Sequence, residues 1–287
     1  MEGLDIHTKN SELMEQGLEF YQQGRYDEAI SCYDNMIKLD PAHIDAHYNK
    51  ARTLYDQNLF EASNNCYDQI IKIEPKAQKA RINKYHNLCI LEKFEESIEC
   101  CDESIKINSK NRESWANKGE SLAHLDRYEE SLVCFDESIK IGGKSAYDYF
   151  MKSHLLFDLE KYEESIQFCN KIINAGMTYK SEHASLWSIK GASLFHLEKF
   201  EESIICFNKI IRMKRIDHHS ICCAWSQKGL AYTQLGKYDE AISCYDQAIM
   251  LEPALSEIWH NKGSVLKKCG RHEEATVCFT KSTKLNL

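Results

Sequence analysis

Apolar side chains along this chain follow helical spacing in paired runs. Trp115, Leu122 and Leu125 share one helical face, and a second run of Tyr128, Leu132, Phe135 and Ile139 starts just past the polar pair Asp126-Arg127. The same two-run unit recurs eight times. Its most regular marker is an aromatic residue at Tyr26, Phe60, Phe94, Tyr128, Tyr162, Phe200 and Tyr238, with His272 in the eighth place. The steps between markers are 34, 34, 34, 34, 38, 38 and 34 residues. Each unit predicts two amphipathic helices and a tight turn, sixteen antiparallel helices in all. A unit that cannot bury its apolar face alone must stack on its neighbours, which predicts an all-α solenoid with a long concave surface.

Other positions keep register with the marker. Nine residues before it stand Gly17, Ala51, Gly119, Ser153, Gly191, Gly229 and Gly263, with the bulky Tyr85 in the third repeat. Three residues after it stand Ala29, Ser63, Ser97, Ser131, Ser165, Ser203, Ala241 and Ala275. Two small positions twelve residues apart predict close approach of the paired helices. All four tryptophans, Trp115, Trp187, Trp225 and Trp259, lie thirteen before the marker, and all three prolines, Pro41, Pro75 and Pro253, fifteen after it. Proline there ends the second helix. Second helices open on acids, as in Glu129-Glu130, and tend to close on a base, as in Lys140, an order that suits the helix dipole.

The segment Trp225 to Pro253 carries Trp225, Gly229, Tyr232, Gly236, Tyr238, Ala241, Tyr245, Ala248 and Pro253 in one register. On these residues the chain resembles the tetratricopeptide-repeat (TPR) family. The resemblance implies an α-solenoid, a right-handed superhelix of about eight tandem helix-turn-helix units. It covers residues 10–287 as one continuous array, with repeats near 10–43, 44–77, 78–111, 112–145, 146–183, 184–221, 222–255 and 256–287, after a short tail at 1–9. Repeats two, three and five lack the tryptophan, and Tyr85 puts local packing in doubt.

The resemblance also implies that first helices line a groove for a partner's peptide or helix. Its lining positions give Tyr48, Asn49, Arg52, Tyr55, Asn83, His86, Asn117 and His124 in repeats two to four. Repeats five and six give the more apolar Phe150, Met151, His154, Phe157, Ile189, Phe195 and His196, and repeats seven and eight give Gln227, Gln234, Asn261, Lys267 and Lys268. The apolar stretch is either a contact surface or core seen through a misjudged helix rotation. The four histidines are either ligand contacts or polar residues on a solvated face. A clamp of the kind that holds chaperone C-termini is incomplete: at its five positions stand Met14, Leu18, Asn49, Lys79 and Asn83, of which only Asn49 and Lys79 fit.

Composition narrows the function. Net charge is −8, with Lys and Arg spread through all repeats, so no concentrated basic face predicts nucleic-acid binding. No stretch predicts a membrane span or a secretion signal. Seven of thirteen cysteines, Cys32, Cys66, Cys100, Cys134, Cys206, Cys244 and Cys278, sit six after the marker, a ladder that predicts reduced, semi-buried packing thiols in a cytoplasmic protein. Lysine recurs ten before the marker, from Lys50 to Lys262, either as a basic stripe or as stems covering the neighbouring helix.

No phosphate loop, G-x-S-x-G or HExxH occurs, so no catalytic residue and no cofactor is predicted. His219 and Cys223 would share a helical face as metal ligands can, against the plainer reading of a polar interrepeat segment entering a helix; structural zinc wants four ligands, so no metal site is assigned. The expected function is a non-enzymatic scaffold or adaptor with a protein or peptide partner. The alternatives are a self-assembling solenoid and, poorly supported by its clamp, a chaperone cofactor. Weak self-association would use the last repeat, whose outward face is expected to show Cys278, Phe279 and Leu285. The four-residue insertions at Asn174–His183 and Lys214–Ser220 flank the apolar stretch and either carry function or adjust pitch.

Overall fold

The computed structural model describes residues 2–143, 145–176, 183–214 and 216–286, with side chains described from residue 7 onward. Among these residues the protein is all-α, with sixteen helices and no strand. They form two compact units, Met1–Gly143 and Lys144–Leu287. The first unit holds α1 (Glu2–Gln22), α2 (Tyr26–Leu39), α3 (Ile44–Asp56), α4 (Phe60–Ile73), α5 (Gln78–Ile90), α6 (Phe94–Ile107), α7 (Arg112–His124) and α8 (Tyr128–Gly142). The second holds α9 (Ala146–Asp158), α10 (Tyr162–Asn174), α11 (His183–His196), α12 (Phe200–Ile211), α13 (His218–Gln234), α14 (Tyr238–Leu251), α15 (Ser256–Lys268) and α16 (His272–Leu285). Helices pack in chain order within each unit. First helices also touch one another, α5 with α7, α9 with α11, and α13 with both α11 and α15. They therefore make one side of the stack in each unit. The described residues before 10 continue α1 rather than leaving it.

Every marker residue is the first residue of a second helix. The turn before it is the same eight times over. Two residues before the marker the backbone is left-handed, at Gly24, Asn58, Glu92, Asp126, Glu160, Glu198, Gly236 and Gly270. The amide there bonds three residues back and the next amide five back, as Glu160 does to Phe157 (2.9 Å) and Lys161 to Leu156 (2.8 Å). This double closure satisfies carbonyls at the end of the first helix. Glutamate pays a steric penalty in that conformation, of order 1–2 kcal/mol, that glycine does not. Glu160→Gly, whose φ is now 59°, is expected to stabilise the chain by about 0.5–1 kcal/mol. A urea midpoint that fails to rise would contradict this.

The small positions do what their spacing suggested. A Cβ added to Gly119 would lie 2.9 Å from the ring of Phe135, and one on Gly229 would lie 2.9 Å from the ring of Tyr245. The residue seven after the marker therefore seats its ring on the residue nine before it. The serine three after the marker donates to the same residue's carbonyl in four of the five repeats that have one, as Ser131 does to Gly119 (2.6 Å) and Ser203 to Gly191 (2.8 Å); Ser97 of repeat three turns to the Phe94 carbonyl instead.

Repeat three resolves the doubt over Tyr85. The ring position there holds Cys101, so the large and small partners have changed places. Tyr85 is 2% exposed and its hydroxyl donates to Glu120 at 2.8 Å. The ring-position residue is also small in repeat five, where Cys169 faces Ser153 in register. The missing tryptophan of repeat two has a substitute, since His47 Nε2 bonds the Pro41 carbonyl at 3.1 Å, as Trp115 and Trp259 Nε1 bond carbonyls six residues upstream.

The lysine ladder is neither of the two expected things alone. Lys50, Lys84, Lys118 and Lys262 reach aspartates eight after the preceding marker, Asp34, Asp68, Asp102 and Asp246, at 2.5–2.6 Å. Lys190 meets Asn170 in that role. These half-exposed pairs tie one repeat to the next, each worth at most about 1 kcal/mol.

All seven ladder cysteines are buried. Burial pushes the Cys66, Cys134, Cys206 and Cys244 thiols up to about 11. They stay protonated and shielded near neutral pH, and the thiolate is the form that reacts. Native alkylation followed by peptide mass spectrometry should therefore label exposed Cys223 first and the ladder only after unfolding. Equal rates at Cys223 and Cys206 would refute the burial.

Candidate binding grooves

Each unit has a groove on the side formed by its first helices. In the first unit a cavity of about 680 Å³ lies between α3 and α5. Tyr48, Asn49, Arg52, Tyr55, Asn83 and His86, all expected to line a groove, converge there, with Asp56, Tyr67 and Lys79 beside them. Cations and rings are interleaved: Arg52 lies 4.8 Å from the Tyr21 ring centre and Lys79 lies 5.4 Å from that of Tyr48. Tyr21 donates to Asp56. Burial, ahead of the charge of Glu74, raises the Tyr48 hydroxyl above its ordinary value, so it stays a donor at neutral pH. Asn117 and His124 lie outside this cavity. Asn117 is only 9% exposed, so it does not face solvent as expected. His124 stacks flat on Phe94 with ring centres 4.5 Å apart.

In the second unit a cavity of about 530 Å³ lies between α9, α11 and α13. Phe150, Met151, Ile189, Ile210, Ala184 and Ala224 give it an apolar lining, and His154, Ser185, Ser188, His219, Ser220 and Cys223 supply polar groups. Among the described residues no lysine or arginine lines it. His154 pairs with Asp158 at 2.8 Å.

The apolar stretch is not uniformly open. Ile189 is 8% exposed and belongs to a core cluster with Cys169, Ile172 and Leu186. Phe150 and Phe157 are half-buried against that cluster. Phe157 meets its own marker Tyr162 edge-on, as Tyr55 meets Phe60 and Phe195 meets Phe200. His196 stacks on Tyr162 at 4.7 Å. Phe157, Phe195 and His196 therefore brace helix pairs, while Phe150, Met151 and His154 reach the cavity.

The second insertion explains residues that the groove pattern missed. α13 has 17 residues where α15 has 13, so the insertion adds one helical turn at the N-terminus of α13. That turn, capped by Asp217 whose side chain accepts from the Ser220 amide, carries His219 and Ser220 to the cavity. The first insertion lies largely at 177–182, outside the described residues. At the last repeat, Cys278 is 4% exposed and does not form the outward face expected of it, while Phe279 seats its ring on Gly263 and stays part-exposed, unlike the fully buried Phe135, Phe207 and Tyr245 at the same position of inner repeats.

Among the described residues no group of three or more His, Cys, Asp or Glu is placed to enclose a metal ion, and no helix is long and apolar enough to cross a membrane.

Stacked helical hairpins with grooves along their first helices define a helical-repeat protein. Models of the tetratricopeptide repeat match residues 17–58, 44–76, 149–175, 222–255 and 256–287, and the chain belongs to that family. A tetratricopeptide repeat protein from Parabacteroides merdae is similar in structure over 90% of this chain and 99% of its own, with a TM-score of 0.61 and 14% identity. A chain of the APC/C hetero-tetramer Cut9-Hcn1 is similar over 95% of this chain at a TM-score of 0.56 and 12% identity; this chain spans 52% of its length. At these identities the likeness is one of fold. No curated protein sequence matches the chain.

Proposed function

We propose that the protein is a non-enzymatic interaction scaffold whose repeats act as one array and hold a partner's peptide or helix along the first helices, with the α9–α11–α13 cavity as the main anchor site. Tetratricopeptide repeats generally mediate protein–protein interaction. The observation that carries the reading is the cavity's make-up: an apolar lining of about 530 Å³ with a few hydroxyl and imidazole groups. Sites that grip one bulky side chain and fix its direction have that composition. The first-unit groove, with Arg52, Lys79 and His86 among its lining residues, suits carboxylates or amides elsewhere on the partner. Thirteen free thiols, most of them buried, fit a reducing compartment such as the cytoplasm.

Among the described residues, the row Cys223–His219–Glu252 resembles a reactive constellation but gives catalysis no support. Partial burial and the charges of Glu252, Glu257 and Asp217 raise the Cys223 thiol, the opposite of what a nucleophile requires.

Peptide display on the full chain tests the scaffold reading. Selected sequences should share a bulky apolar residue, and their binding should be lost when Ser188, an exposed residue of the cavity, is changed to Arg. Selection of no peptide family, or binding indifferent to Ser188→Arg, would move the site away from this cavity.

A further inference from the structure

One cluster at the edge of the second-unit cavity has a geometry that peptide binding does not explain. His219 and Cys223 lie one turn apart near the start of α13. The Cys223 sulfur is 3.6 Å from His219 Nε2, and the other ring nitrogen, Nδ1, is 3.0 and 3.1 Å from the two carboxylate oxygens of Glu252. Zinc–sulfur and zinc–imidazole bonds at a tetrahedral angle place the two ligand atoms about 3.6 Å apart. The pair therefore already has the separation that a bound ion would impose. The carboxylate behind Nδ1 favours the tautomer with its proton on that nitrogen and leaves the Nε2 lone pair directed outward. Such carboxylate–imidazole backing orients metal ligands and raises their basicity.

The surroundings favour a cation. Asp217, Glu252 and Glu257 place negative charge around Cys223. Asp217, as the N-cap, also offsets the positive end of α13. Both ligand residues are exposed, His219 with 66% of its side chain accessible, so an ion has a path in.

We propose that His219 Nε2 and Cys223 Sγ form a two-ligand half-site for a zinc-class divalent cation, with water in the remaining positions. The ion displaces the thiol proton to solvent and binds the resulting thiolate; no electron transfer is involved. The site stands on its own geometry and does not depend on the peptide reading. It does border the same cavity, so an occupied site would set a Lewis-acidic group in the wall beside Phe150 and His154.

The test uses the full-length, reduced chain, stripped by a chelator and titrated with Co²⁺ or Zn²⁺ alone. Wild type should bind one Co²⁺ with a sulfur-to-cobalt charge-transfer band. Cys223→Ser should abolish the band and His219→Ala should weaken binding, while Cys269→Ser leaves both intact. Glu252→Gln should lower affinity by about tenfold or more. Zn²⁺ should slow alkylation of Cys223, read by peptide mass spectrometry, in wild type but not in His219→Ala. Circular dichroism checks that each variant is folded. A wild type without the band, a band that survives Cys223→Ser, or affinity and protection unchanged by His219→Ala would overturn the half-site.

Discussion

Replacing Tyr85 with alanine is expected to cost about 3–5 kcal/mol, the loss typical of a buried aromatic ring. Its position is filled by glycine, alanine or serine in the other seven repeats, so likeness to those repeats would suggest a harmless or helpful change. The packing says otherwise. Tyr85 is 2% exposed and Cys101, at the ring position of that repeat, is 3% exposed, so no second ring is present to fill the gap. Cys101→Tyr alone should also destabilise, by about 1–3 kcal/mol, because two rings would compete for one space. Together, Tyr85→Ala and Cys101→Tyr recreate the pairing of Ala51 with Tyr67 in repeat two, and much of the loss should return. A double-mutant cycle by urea denaturation measures this, and residues that pack together couple by about 0.5–3 kcal/mol. Strictly additive effects would mean that the two side chains do not share a space.

The largest expected effect on partner binding comes from Met151→Asp. Met151 is half-buried in the wall of the second-unit cavity and, unlike Phe150 and Phe157, is not part of the core cluster around Ile189. A carboxylate there must lose water whenever an apolar side chain enters. Anchors of this kind carry about 2 kcal/mol or more, so affinity for a selected peptide should fall by roughly thirtyfold or more. The melting temperature should change little. Phe150→Ala, by contrast, should lower both binding and stability, because its ring faces the cavity on one side and the core on the other. Full binding by Met151→Asp would show that the anchor lies elsewhere, and the charged first-unit groove around Arg52 and Lys79 would be the next place to look.

Much of this protein was legible in its residues. The marker register, with small positions nine before and three after and proline fifteen after, determined sixteen helices, their pairing and their family. A repeat writes each packing constraint eight times, so a single exception such as Tyr85 does not obscure it. The cysteine ladder was equally readable, since one residue type at one helical phase means one environment.

Tertiary structure decided what depends on two positions at once. Tyr85 looked like a defect until Cys101 was seen in the matching ring position. The lysines looked like a stripe or a cover until four of the seven met aspartates of the preceding repeat, sixteen residues away for Lys50 and Asp34. Ile189 and Asn117 sat at groove positions by register, yet both are buried, because a small change in helix rotation exchanges a groove residue for a core residue. The insertion before α13 could be counted in the sequence, but only folding showed that its four residues add a helical turn. That turn brings His219 over Cys223 and against Glu252, 33 residues further on, because neighbouring repeats place distant segments side by side.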